Sequence, residues 1–192
     1  MSGKRGQARR ITRRRLFEAT AGAGLALPLA GISGTALAAA PKNRSDLVAE
    51  ENAHQGTGDW MLTRVLVDAE NRRRSSRIEG YASRPSVRPG ETIELKVSTR
   101  PASPFTIDIY RTGYYQGTGG RHMATLGRFE GSPQEEPPVG EERLRECQWE
   151  TSTALTIPAD WLSGVYLAKL TAEKEGAQSY IIFIVRDDRE CD

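Results

Sequence analysis

Residues 92–98, Thr92-Ile93-Glu94-Leu95-Lys96-Val97-Ser98, alternate polar and apolar side chains over seven positions. Strict period two is the mark of a strand with one face in a core and the other in water. Phe105, Ile107 and Ile109 repeat the pattern against Thr106, Asp108 and Tyr110. Further on, residues 165–171 and 179–185 flank a polar turn at Glu175-Gly176 and read as a hairpin. Its second arm, Tyr180-Ile181-Ile182-Phe183-Ile184-Val185, is apolar throughout, which predicts a central strand covered on both faces. Between the arms of this framework, Arg88-Pro89-Gly90 supplies a tight turn and Pro101 and Pro104 separate two strands. Residues 131–142, with Pro133, Pro137, Pro138 and a string of glutamates, leave too few donors and apolar contacts for regular structure. After residue 58 no stretch carries a four-turn helical period. Seven or eight short strands then predict an all-β, Ig-like antiparallel β-sandwich over residues 59–188.

Working outward, residues 39–58 are polar and aperiodic and read as an extended linker, with 189–192 as a tail. Within the linker Asn43-Arg44-Ser45 fits a glycosylation acceptor, a pattern of little weight in a bacterial export setting. The first 38 residues read differently. Arginines 13–15 precede Leu16 and Phe17, and a weakly apolar, glycine-broken run leads to Ala36-Leu37-Ala38. Basic, apolar and cleavable parts in that order are the layout of an export signal. Arg13, Arg14, Arg15, Leu16 and Phe17 resemble a twin-arginine motif, with Ala36 and Ala38 marking the cleavage site. Gly22, Gly24, Pro28, Gly31 and Gly34 keep the run too polar for a stable span, so the membrane is met only in transit. The expected location is periplasmic or extracellular.

Charge follows the same division. Of 27 Lys and Arg and 25 Asp and Glu, seven bases and one acid fall in residues 1–40, leaving 20 bases, 24 acids and a net charge of −4 for the rest. The sequence pI near 8.6 therefore belongs to the leader. A chain without a net positive field has no means of holding phosphate backbones, which excludes nucleic acid as a partner. With 38% hydrophobic residues and a mean hydropathy of −0.54, a multi-pass membrane protein is excluded too.

Chemistry-bearing patterns are sparse. There is no G-x-S-x-G elbow, and Gly117-Thr118-Gly119-Gly120 lacks the spacing of a phosphate cradle. Two histidines and no C-x-x-C give zinc too few ligands, and His122 reads as a surface or loop histidine. Cys147 and Cys191 either close a long disulfide worth about 4 kcal/mol or remain free, Cys191 lying one residue from the terminus. Trp149, beside Cys147 in an apparent strand, and Trp161 at a turn read as core or corner residues. The run Arg72-Arg73-Arg74 with Arg77 reads as a solvated loop. The best functional candidate is the loop 111–121. Tyr114 and Tyr115 sit between glycines and are bracketed by Arg111 and Arg121. Such a loop either packs against the sandwich or a partner domain, or presents two rings to a ligand.

Several segments together resemble one family. They are residues 77–83 (Arg-Ile-Glu-Gly-Tyr-Ala-Ser), 86–91 (Ser-Val-Arg-Pro-Gly-Glu) and 109–121 around the two tyrosines. Cys147-Gln148-Trp149, residues 157–166 (Ile-Pro-Ala-Asp-Trp-Leu-Ser-Gly-Val-Tyr) and residues 183–188 continue the match in order. These resemble the N-terminal β-sandwich portion of proteins similar to the N,N-dimethylformamidase large (β) subunit. The resemblance implies an amide hydrolase whose iron site, of tyrosinate and carboxylate ligands, lies in a later α/β portion. None of those ligands has a counterpart here, so the expectation is a non-catalytic, truncated region with no cofactor of its own. Its catalytic domain or subunit would be encoded separately. The alternative is a stand-alone carbohydrate- or surface-binding module using Tyr114, Tyr115 and Trp60.

Overall fold

The computed structural model describes residues 43–71 and 74–188. The expected signal residues, the cleavage site and the tail 189–192 lie outside them. Eight strands follow one helix: α1 Arg44–Ala53, β1 Ile78–Ala82, β2 Ser86–Val87, β3 Thr92–Thr99, β4 Phe105–Thr112, β5 Gly120–Phe129, β6 Thr153–Thr156, β7 Gly164–Ala172 and β8 Gln178–Val185. They form two sheets, β1-β3-β6 and β2-β8-β7-β4-β5. All pairings are antiparallel except the short β2–β8 contact. The alternating stretches become strands as the periodicity requires. Ile93, Leu95 and Val97 of β3 face Phe105, Ile107 and Ile109 of β4, and Ile181, Phe183 and Val185 of β8, across one core. Trp161, Tyr166 and Phe183 stack through it, with centroids 4.9 and 5.6 Å apart. Offset stacking adds specificity to the burial of three large rings. An all-β sandwich is what the sequence predicts. Among the described residues no helix is long and apolar enough to cross a membrane.

Three local expectations fail, each for a physical reason. The linker 39–58 is not extended throughout, because residues 44–53 form α1. Asn43 caps it, its Oδ1 accepting the Asp46 N–H at 2.9 Å and the Ser45 hydroxyl at 2.6 Å. The helix starts from its cap and not from an apolar stripe, so periodicity cannot reveal it. Strand β8 is not covered on both faces, since Ile182 is 60% and Ile184 45% exposed. Residues 59–64 cross only part of the outer face. There Lys169 Nζ donates to the carbonyls of Asp59 and Met61 at 2.7 and 3.0 Å, and Gln178 Oε1 accepts the Thr63 N–H at 2.8 Å. Trp149 lies outside any strand, although it is buried. Its indole N–H donates to the Glu135 carbonyl at 2.8 Å, its ring meets Tyr81 at 5.4 Å, and Lys96 Nζ donates to its carbonyl at 2.7 Å. These bonds tie the polar loop between β5 and β6 to the edge of the smaller sheet. The loop itself contains a single 3-10 turn, Glu141–Arg143, and no strand.

Candidate functional site

Strands β4 and β5 bring Arg111 and Arg121 directly opposite one another in register. Like charges facing across an antiparallel pair repel, so the arrangement requires a counter-ion. Glu51 of α1 supplies it. Its carboxylate accepts from Arg121 Nε at 2.8 Å and Nη2 at 3.1 Å, a two-bond fork, and from the Tyr115 hydroxyl at 2.7 Å. Arg111 Nη1 donates to the same tyrosine oxygen at 2.9 Å, and Nη2 donates to the Ser163 carbonyl at 2.9 Å. Glu51, Arg111 and Tyr115 are all buried, so these are charge-assisted bonds in a place where water does not screen them. Arg111 Nε is buried with no hydrogen-bond partner. Gly164 makes room for this guanidinium, for a Cβ there would stand 3.2 Å from Nε and Nη2.

The loop joining the two strands is held as firmly. Tyr115 and Gln116 adopt φ of +37° and +57°, a region that side chains avoid without support. Support comes from α1, where Asn52 Oδ1 accepts the Tyr114 N–H at 2.8 Å, and from the Gly117 N–H bonded to the Tyr114 carbonyl at 2.7 Å. Trp60 packs closely against the Gly119–Gly120 backbone and donates to the Thr118 carbonyl at 3.0 Å. A Cβ on Gly120 would fall 2.6 Å from the Trp60 ring, so only glycine admits it. The two candidate tyrosines therefore part company. Tyr115 is fully buried, whereas Tyr114 is 70% exposed at the loop tip. Burial, and then its bond to Glu51, pushes the Tyr115 hydroxyl above the usual phenol range, so it stays protonated as a donor. Burial does the same to Tyr166, whose hydroxyl donates to the Leu162 carbonyl at 2.8 Å.

The remaining candidates fall elsewhere. His122 is exposed, but on β5 and not in a loop. Its Nε2 is 3.1 Å from Thr125 Oγ1 and 3.4 Å from Asp108 Oδ1, on the open sheet face. Arg72 and Arg73 lie outside the described residues, and Arg74 departs from the solvated reading. It is only partly exposed, forks onto Glu79 at 2.6 and 2.9 Å and also pairs with Glu136. These carboxylates hold the Arg74 guanidinium more firmly protonated, the Glu79 hydrogen bond contributing most. Cys147 is free and exposed; Cys191 lies outside the described residues.

Sequence reasoning assembled Arg111, Tyr115 and Arg121 but missed Glu51 and Asn52. Their one sequence signal was the Asn43–Asp46 cap ahead of a run of helix-forming residues. What the cluster can do is hold a carboxylate. It does not suit a metal ion, because two guanidinium groups flank the only carboxylate–phenol pair and repel a cation. Among the described residues no group of three His, Cys, Asp or Glu side chains converges.

Residues 106–192, from the second residue of β4 onward, match the family described as N,N-dimethylformamidase beta subunit-like, C-terminal. This is the family that the sequence motifs resemble, although the matched region is the C-terminal one and the motifs resemble its N-terminal sandwich. No curated protein matches the chain. Among solved structures, the Pseudomonas fluorescens alkylpurine DNA glycosylase AlkC, bound to DNA containing an abasic site analogue, is similar at 8% identity with a TM-score of 0.27. That likeness covers 59% of this chain and 31% of the glycosylase, less than a third of its length, and carries no argument.

Proposed function

We propose, with residues 106–192 placed in the N,N-dimethylformamidase beta-subunit-like C-terminal family, that the sandwich is a non-catalytic module of an exported amide hydrolase. Catalysis belongs to polypeptide other than residues 43–188, in a partner subunit or domain. One observation carries this reading. The ionisable groups of the best candidate site satisfy one another, Glu51 with Arg121 and Tyr115, and Tyr115 with Arg111. Groups consumed in this way are architecture, since a catalytic acid or base must be free to meet a substrate proton. In contrast, the exposed ring of Tyr114 stands on a rigid loop, as an aromatic anchor for a partner surface does.

The full chain, expressed in a host with a working twin-arginine route, is expected in the periplasmic fraction with a mass that lacks residues 1–38. Purified alone, it is expected to release no dimethylamine from N,N-dimethylformamide, and to do so only with its catalytic partner. Turnover by the chain alone, or retention of the leader in the cytoplasm, overturns the respective half of the reading.

A further inference from the structure

We propose that the sandwich carries a carboxylate-binding site, built from Arg121, Tyr115 and Arg111, that α1 fills in cis with Glu51 and that a carboxylate ligand can occupy in its place. Three donors converge on the two Glu51 oxygens within 2.7–3.1 Å, and all three come from the sandwich. Two of these residues have anchors outside α1, the Arg111 side chain at the Ser163 carbonyl and the Arg121 backbone in β5, whereas the loop that carries Tyr115 also leans on Asn52 of α1.

The helix docks through polar groups. Glu51 is its one buried residue. Around it, the Asn52 side chain accepts the Tyr114 N–H, the Ala53 carbonyl accepts from Gln116 Nε2 at 3.3 Å, and Arg44 Nη2 donates to the Asp187 carbonyl at 3.1 Å. A helix normally docks by an apolar stripe, and one held by a carboxylate can be exchanged for another carboxylate. Beneath its first turns a cavity of about 680 Å³ separates Leu47 and Val48 from Pro89, Trp161 and Leu162. The N-terminal half thus spans a space instead of filling one. Ser163, which fixes Arg111, also lines this cavity, so a ligand entering it with an apolar body reaches the arginine end. The orphaned Arg111 Nε–H adds a buried donor at the same place.

Two measurements on the full chain test this. In Glu51→Gln, amide exchange at residues 47–52 is expected to speed up by at least about tenfold, the loss of one charge-assisted bond, while β4 and β7 amides keep their protection. In Glu51→Ala, acetate or the ten-residue peptide of residues 44–53 is expected to bind saturably, shifting the Arg121 Nε and Tyr115 resonances. Neither probe should shift the Tyr115 resonances in Glu51→Ala/Arg121→Met. Acetate binding shows that a free carboxylate suffices, and binding of the peptide alone shows that the carboxylate must arrive on a polypeptide. Unchanged protection of α1 in Glu51→Gln, or no response to either probe in Glu51→Ala, overturns the proposal. The strand amides report whether either variant has merely unfolded.

Discussion

Replacing Tyr115 by Phe removes one oxygen atom and leaves the ring, so packing is preserved and only the hydrogen bonds are lost. The oxygen donates to Glu51 at 2.7 Å and accepts from Arg111 at 2.9 Å, and the residue is fully buried. A hydrogen bond to a charged group contributes about 1.5–3 kcal/mol, and a buried donor left without an acceptor costs about 1–3 kcal/mol. The two contributions overlap, because both describe the same vanished atom, and a total of about 3 kcal/mol is expected. With Arg111 and Glu51 only 5% and 8% exposed, water offsets little of it. For a domain of this size the loss corresponds to a fall of roughly 6–12 °C in Tm. In urea the midpoint should move while the m-value stays fixed.

A double-mutant cycle sharpens the test. Arg111→Met removes the donor that Tyr115→Phe strands, so the pair should cost at least about 1 kcal/mol less than the sum of the singles. Tyr114, its neighbour in sequence, provides the control. At 70% exposure, Tyr114→Phe should fall within about 0.5 kcal/mol of the parent. The reasoning is refuted by a Tyr115→Phe cost below about 0.5 kcal/mol, or by strict additivity with Arg111→Met.

Other expectations probe the fold and its titration. On β8, Phe183→Ala should cost about 3–5 kcal/mol and Ile182→Ala no more than about 0.5, measured by urea unfolding, because one side chain lies in the core and the other in solvent. Similar costs would mean that the outer face is covered. Burial pushes Tyr110 up to about 12, and Tyr115, Tyr166 and Tyr180 are also raised. Unfolded tyrosine ionises near pH 10, so above that the unfolded state releases protons first and stability falls as pH rises toward 12. Absorbance at 295 nm should therefore rise for these four together with loss of far-UV dichroism. Ionisation of all six tyrosines near pH 10 without unfolding would contradict it. Cys147, free and exposed, should react with a thiol reagent in the native protein, and peptide mapping that finds it protected would show a disulfide instead.

The parts of the fold legible in the sequence are those set by neighbours two residues apart. Ile93, Leu95 and Val97 on β3, and Phe105, Ile107 and Ile109 on β4, declare their buried face locally. The run 180–185 could not, because a stretch apolar on both faces says nothing about what covers each. Its outer face depends on where residues 59–64 run, more than a hundred positions away in sequence. Partial coverage at Tyr180 and exposure at Ile182 and Ile184 are tertiary outcomes.

The candidate site was legible to the same depth and no further. A hairpin with arginines at positions 111 and 121 places them opposite each other once the strands pair, and two facing guanidinium groups demand an acid. The requirement can be derived from the sequence, but the acid cannot be identified, for residues 41–192 hold 24 candidates. Glu51 lies in a polar helix with no apolar stripe, where every local rule assigns a glutamate to solvent. What singles it out is the receptor that the sandwich builds around its carboxylate. A residue chosen by the charge of its receptor and not by the packing of its own helix can be supplied by another molecule, and that is the physical basis for exchange at this site.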